Sequence, residues 1–145
     1  MDDYAAIVNV ASQYARGIDA CDWDAIEACF APDAEVEFLS FPPALRGRAA
    51  ILEFIRVGRE RFDVTQHVIG SPFVEVDGDR ANATFYVVAQ HVVRGEGDGG
   101  NRFCLLGVDY TDELARTADG WRVTARRIRR LWTQGDPAIV SRPET

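Results

Sequence analysis

Tyr14 and Asp19 stand five positions apart in the run Tyr-Ala-Arg-Gly-Ile-Asp. If that run is helical, about 100° per residue sets them roughly 140° apart around the axis and over one turn along it. Side chains so placed reach into one concavity from two sides, whereas a single flat interface cannot bury both. Ala15 and Ile18 flank them with apolar surface. A carboxylate in that setting carries either a raised pKa or a charged partner. Two readings stand at this level: Asp19 caps the next helix and Tyr14 fills core, or both serve a pocket. The two histidines of the chain, His67 and His91, bear on the choice. Both fall in long stretches of period two whose apolar faces line one hollow, and imidazole is the side chain suited to moving protons near neutral pH.

The elements that must hold these residues follow from periodicity. Ile7, Val8, Val10, Ala11, Tyr14, Ala15 and Ile18 recur at helical spacing and predict a helix over 3–20. Asp22 reads as the N-cap of a short helix over 23–30, ended by Ala31-Pro32. Residues 34–38 alternate as a first short strand, and 40–43 form a Pro-broken loop expected to approach the pocket. A third helix spans 47–61, with Ile51, Phe54, Ile55 and Gly58 on its buried side. From Thr65 the period changes to two. Strands are predicted over 65–76, 80–94, 102–116 and 121–132, with Asp77-Gly78 as the clearest hairpin signal and Ala118-Asp-Gly120 closing the second hairpin. Helices segregated before strands predict an α+β fold. Its form is a cone-shaped barrel in which a curved antiparallel sheet wraps three N-terminal helices. One domain occupies 1–135, followed by a loose tail over 136–145.

The chain of 145 residues, 47% hydrophobic and 27% charged, suits one globular domain with a substantial core. A formal charge of −7 argues against nucleic acid and anionic membrane as partners. The basic run Arg126-Arg127-Ile128-Arg129-Arg130 reads as a strand face with one or two arginines turned inward. Met1-Asp2-Asp3 is acidic where a secretory leader is basic, and no apolar run approaches a membrane span, so a cytoplasmic protein is expected. Cys21, Cys29 and Cys104 fit no zinc spacing and read as small apolar residues. No glycine-rich strand-to-helix loop suggests a nucleotide, and no serine or cysteine is placed beside a histidine as a nucleophile. The expected chemistry is proton transfer without metal or cofactor.

Several local patterns occur together: Tyr14-x4-Asp19-x2-Asp22-Trp23, Phe30-Ala-x-Asp-Ala34, Gly47-Arg48, Thr65-Gln-His67, Val76-Asp-Gly-Asp79, Tyr110-Thr111 and Arg116-Thr-x-Asp-Gly-Trp-Arg122. On them the chain resembles the nuclear-transport-factor-2-like, or SnoaL-like, superfamily over roughly residues 4–133. That fold hosts isomerases, cyclases, dehydratases, epoxide hydrolases and ligand binders. In the branch of scytalone dehydratase, bile-acid dehydratase and hexachlorocyclohexane dehydrochlorinase, a first-helix aspartate pairs with a histidine on the first long strand. The resemblance implies that Asp19 and His67 are that pair. It further implies Tyr14 as the dehydratase tyrosine, His91 as a second strand histidine, and Arg126 as the arginine that follows the tryptophan of the last hairpin.

An Asp–His pair makes a general base, the carboxylate fixing the tautomer and stabilising the imidazolium. In the implied lyase, Tyr14 donates to a developing enolate oxygen, His91 protonates the leaving hydroxyl and Arg126 stabilises negative charge. The expected substrate is small, apolar and cyclic, like a polyketide, steroid or terpenoid, held by Phe38, Phe41, Phe54, Phe85, Val87 and Leu105. Alternatives are a ketosteroid-isomerase-like enzyme with Glu35 or Glu37 as base, a polyketide cyclase, a non-catalytic ligand-binding domain and an oxygenase accessory subunit. Apolar residues on both strand faces predict a homo-oligomer, dimer or trimer.

Overall fold

The computed structural model describes residues 1–39 and 43–141. The first helix, α1 (Asp3–Ala20), buries Ile7, Ala11, Tyr14, Ala15 and Ile18, the stripe that helical spacing requires. Asp2 caps it by accepting the Ala5 N–H at 2.7 Å. Cys21 ends it in the left-handed region at φ 56°. The second helix, α2 (Trp23–Glu27), starts from the Asp22 cap. The two helices cross so closely that a Cβ on Gly17 would stand 2.8 Å from the Ile26 side chain, so only glycine fits.

The next element, β1 (Phe30–Phe38), begins earlier than alternation suggests, because Ala31-Pro32 lies inside the strand instead of ending a helix. The proline is accommodated where the pairing of β1 is irregular, between Phe30 and Glu35. A two-residue strand, β2 (Leu45–Arg46), pairs back on Glu35 and Val36, and α3 (Arg48–Arg59) follows from Gly47 at φ 88°. The four long strands are β3 (Val64–Asp77), β4 (Arg80–Val93), β5 (Arg102–Thr117) and β6 (Gly120–Gly135). They pair antiparallel in one continuous sheet, as predicted.

The expected sheet curved over three helices is found, as an open six-stranded sheet ordered β2-β1-β6-β5-β4-β3. It departs from the expectation in one respect: it is mixed, because β1 joins β6 in parallel. Bulges bend it: Ser71 at φ 48° interrupts β3 between Gly70 and Phe73, and β5 slips against β6 at Gly107 and Val108. Past the last strand the chain turns back onto the rest of the structure. A single 3-10 turn, Pro137–Ile139, docks with Ile139 buried, and the Arg61 guanidinium donates to the Ile139 carbonyl at 3.1 Å. Two apolar side chains, Ile139 and Val140, give residues 136–141 a reason to fold back.

The N-terminus of α1 is clasped to the far end of the sheet. Arg116 donates to both Asp3 oxygens at 2.7 and 2.8 Å and to Asp79 at 3.1 Å, while the Trp121 indole N–H donates to Asp3 at 3.0 Å. The bonds from Arg116 and then Trp121 hold the Asp3 carboxyl at about 2. A folded-state pKa below the unfolded one gives stability that is complete above the unfolded value and is lost as pH falls through the folded one. The urea midpoint of the wild type is therefore expected to fall between about pH 4 and about pH 2 more than that of Asp3→Asn. Equal slopes for the two proteins would rule out the clasp as an acid-sensitive element. No helix among the described residues is long and apolar enough to cross a membrane.

Candidate functional site

Between α3 and the concave face of the sheet lies a cavity of about 760 Å³, a volume suited to a small organic ligand. Its walls are mainly Ile18, Phe38, Phe54, Phe62, Leu106, Val108 and Ile128, with Tyr14, Thr65, His67, His91 and Tyr110 among the polar groups. Thr65 and His67 share one face of β3 because they are two residues apart, and the C-terminal turn of α1 brings Asp19 against that face. The Asp19 carboxylate accepts the Thr65 hydroxyl at 2.9 Å, the His67 backbone N–H at 2.8 Å and His67 Nδ1 at 2.7 Å. Asp19 itself stands behind the wall and His67 forms part of it.

Burial alone would raise the Asp19 carboxyl, but the hydrogen bonds from the His67 ring, the His67 backbone and Thr65 outweigh it and hold the group below its ordinary value. An ionised carboxylate only accepts, so Nδ1 carries the proton of this contact and Nε2 of the neutral ring keeps a lone pair. Arg59 fixes the helix end that carries Asp19. Its guanidinium donates to the carbonyls of Ile18 at 3.1 Å, Asp19 at 3.3 Å and Phe62 at 2.8 Å, a cation placed on the carbonyl end of the helix. Thr65 stands in a motif that the sequence displays, yet its bond to Asp19 depends on how α1 meets β3.

His91 lies beside His67, with ring centroids 6.2 Å apart and the Phe62 ring 4.7 Å away. Burial depresses its pKa to about 4, so the ring is neutral at pH 7. Its Nδ1 faces the Cys104 carbonyl at 3.1 Å and therefore donates to it. The remaining nitrogen of such a ring is an acceptor. That argues against the expected role of His91 as the acid that protonates a leaving group and suits it to receive a hydrogen bond.

Tyr14 reaches the cavity wall from α1 with Tyr110 of β5 beside it, ring centroids 6.1 Å apart. Burial raises both hydroxyls above the ordinary phenol value, Tyr110 furthest, so both stay protonated and able to donate. Tyr110 was visible in sequence only as part of a motif, and its position opposite Tyr14 follows from the strand register. Arg126 stands behind these rings, its guanidinium carbon 4.4 Å from the Tyr14 centroid and 4.5 Å from that of Tyr110. It is buried, makes a two-pronged pair with Asp112 at 2.7 Å on both arms, and does not line the cavity. Burial works against its charge, but Asp112 outweighs that and raises its pKa. Arg126 thus meets Tyr14 and not the cavity space.

Of the expected apolar walls, Phe38 and Phe54 meet with centroids 5.0 Å apart and line the cavity. Phe85 and Val87 point inward but lie in the packed core. Leu105 gives way to Leu106, since β5 presents Cys104, Leu106, Val108 and Tyr110 to the concave side. Phe41 lies outside the described residues. Glu35 and Glu37, both half-buried, pair with Arg46 and Arg127 and are off the cavity wall, which argues against either as the base of the isomerase alternative. None of the three cysteines lines the cavity, and burial pushes the Cys29 thiol up to about 11. Among the described residues no three His, Cys, Asp or Glu side chains gather as a metal site.

An uncharacterised protein of Mycobacterium tuberculosis (strain H37Rv) is 28% identical over 127 residues, covering 87% of this chain and 84% of the relative. Among solved structures, the Kfla4162 protein of Kribbella flavida has a TM-score of 0.86 at 25% identity over 95% of this chain and 96% of its own. A candidate aromatic ring hydroxylase of Novosphingobium aromaticivorans has a TM-score of 0.82 at 26% identity over 96% of each chain. Two enzyme types that the sequence resembles share the fold at lower identity. A candidate scytalone dehydratase of the same Novosphingobium has a TM-score of 0.76 at 23% identity, covering 90% of this chain and 85% of its own. A hexachlorocyclohexane dehydrochlorinase has 0.79 at 20%, covering 96% and 92%. The SnoaL-like domain model matches residues 1–127, and the chain belongs to that family.

Proposed function

We propose that this protein is a cofactor-free lyase that removes water from a small, largely apolar cyclic molecule, with His67 as general base. The observation that carries the reading is the 2.7 Å contact between Asp19 and His67 Nδ1 at the wall of a mostly apolar cavity. His67 Nε2 takes the proton next to a substrate carbonyl, and Asp19 stabilises the imidazolium so formed. The Tyr14 hydroxyl, with Tyr110 beside it, donates to the enolate oxygen. As the double bond forms, the carbon–oxygen bond to the β-hydroxyl breaks, and the imidazolium returns its proton to that oxygen, which leaves as water. His91 accepts a hydrogen bond from a substrate hydroxyl, and Arg126 acts through Tyr14. Cyclic β-hydroxyketones offered as a panel should lose water, followed by mass, with the wild type and not with His67→Ala. No loss across the panel with either protein would leave the chain as a ligand-binding shell.

The same reading includes a homo-oligomer. Val68 pairs with Val88, Val88 with Gly107, and Gly107 with Trp132, a row across the convex face of the sheet. With Phe73, Tyr86 and Phe103 these side chains leave broad apolar surface exposed, which a second copy of the chain would cover. Sizing at micromolar concentration should give a dimer or trimer, and replacing Val68 and Trp132 together by charged residues should give the monomer. A wild type that is monomeric under those conditions would sink this part of the proposal.

A further inference from the structure

Among the described residues three arginines line the cavity: Arg59, Arg61 and Arg130. The guanidinium of Arg59 is committed to the carbonyls of Ile18, Asp19 and Phe62. Arg61 is committed to those of Ile139 and Ser141. The one acid on the wall among the described residues, Glu53, is held by Arg56 through both oxygens. Arg130 differs from all of these. Its strand neighbours Arg126, Arg127 and Arg129 face Asp112, Glu37 and Asp109, whereas no carboxylate lies within ion-pair distance of Arg130 among the described residues. It is exposed at the rim, paired in register with Val108 of the wall. In a chain of net charge −7, an unpaired guanidinium at the mouth of an apolar cavity is an uneven placement of charge.

We infer that Arg130 recognises an anionic substituent, carboxylate or sulfonate, on a ligand whose apolar ring system fills the cavity. The inference rests on the site of the proposed lyase and narrows its substrates to cyclic acids. A guanidinium offers forked donors that match two oxygens of such a group. At the rim the anion stays partly hydrated, so the desolvation cost of a buried ion pair is avoided. The anchor fixes which end of the ring system points toward His67, and orientation of that kind governs whether a proton can be reached. The charge of Arg130 is felt inside the cavity, where it is among the lesser influences depressing His91, behind burial.

Two fluorescent probes share a ring system and differ in charge: 1-anilinonaphthalene-8-sulfonate and neutral N-phenyl-1-naphthylamine. The wild type should bind the sulfonate more tightly, and added salt should weaken that probe alone. Arg130→Gln should lower sulfonate affinity about five- to tenfold and leave the neutral probe within about twofold, with Arg130→Lys recovering part of the loss. Arg129→Gln, at an exposed position of the same strand off the cavity wall, should leave both affinities within about twofold, and because neither probe is turned over, the outcome stands apart from that of the proposed lyase. Equal weakening of both probes by Arg130→Gln, unchanged sulfonate affinity, or no sulfonate binding by the wild type would each overturn the assignment.

Discussion

Replacing His67 with alanine should lower kcat/KM for the proposed water loss by about 10² to 10⁴, the range over which a positioned general base acts, while the protein stays folded. Among the described residues of the cavity wall no other group replaces it: burial holds His91 at about 4, too weak a base, Glu53 is paired with Arg56 and the two tyrosines stay protonated. The stability loss is small, about 1 kcal/mol, because the Asp19 carboxylate keeps the Thr65 hydroxyl and the backbone N–H of residue 67. Asp19→Asn has a different signature. Three donors converge on that carboxylate, and an amide supplies one accepting oxygen and a donating nitrogen. The imidazolium loses its counter-charge, and the donor that meets the amide nitrogen loses its acceptor. Turnover should fall nearly as far as in His67→Ala, and the double variant should be no worse than His67→Ala alone, since the two residues act as a unit. Exchange of the proton next to the carbonyl of a simple cyclic ketone in deuterated water isolates the first half of the reaction. It should follow the same order across these variants. Losses that multiply in the double variant would mean that Asp19 and His67 act independently.

The second large effect is on stability. Arg126 and Asp112 are both buried, at 1% exposure each, and the third guanidinium nitrogen, Nη1, is buried without a hydrogen-bond partner among the described residues. Asp112→Ala strands the cation among three aromatic rings and should cost about 3–5 kcal/mol, and Arg126→Met strands the carboxylate at a similar cost. Changing both residues together, Arg126→Met with Asp112→Leu, should recover most of that loss, because two apolar side chains of similar volume remove the desolvation cost along with the attraction. Urea midpoints of the four proteins check this. The folded double variant also separates two roles for Arg126. If the arginine acts through Tyr14, water loss slows even though stability has returned. Unchanged turnover would make the pair purely structural.

How far these features could be read from sequence depends on what each one requires. The long strands were legible because a period of two persists over a dozen residues and Asp77-Gly78 marks their turn. The juxtaposition of Tyr14, Asp19 and His67 was legible from helical spacing together with family motifs. The parallel pairing of β1 with β6 was not, since no local pattern in residues 30–38 says which distant strand they join. On β5 the phase was ambiguous: Phe103 and Leu105 are as apolar as Leu106 and Val108, so alternation could not choose a face, and the slip at Gly107 falls between them. The burial of Arg126 needed its cross-strand partner, and only the register that sets Asp112 opposite it turns a run of arginines into one buried cation flanked by exposed ones. Phe85 and Val87 were placed on the correct face, but whether an inward side chain meets cavity or core depends on which helix lies above it.

The arrangement of the base can be examined without knowing the substrate, by nitrogen-resolved NMR of the two imidazoles in uniformly labelled protein at mildly alkaline pH. With Asp19 accepting from Nδ1 at 2.7 Å, His67 should carry one proton, on Nδ1, with the chemical shift of a strong hydrogen bond, and Nε2 should show a bare lone pair. In Asp19→Asn that Nδ1 proton signal should shift or vanish, while the His91 signals stay in place. A His67 ring protonated on Nε2, or one still holding both protons under those conditions, has no lone pair to offer a substrate and would contradict its role as the base.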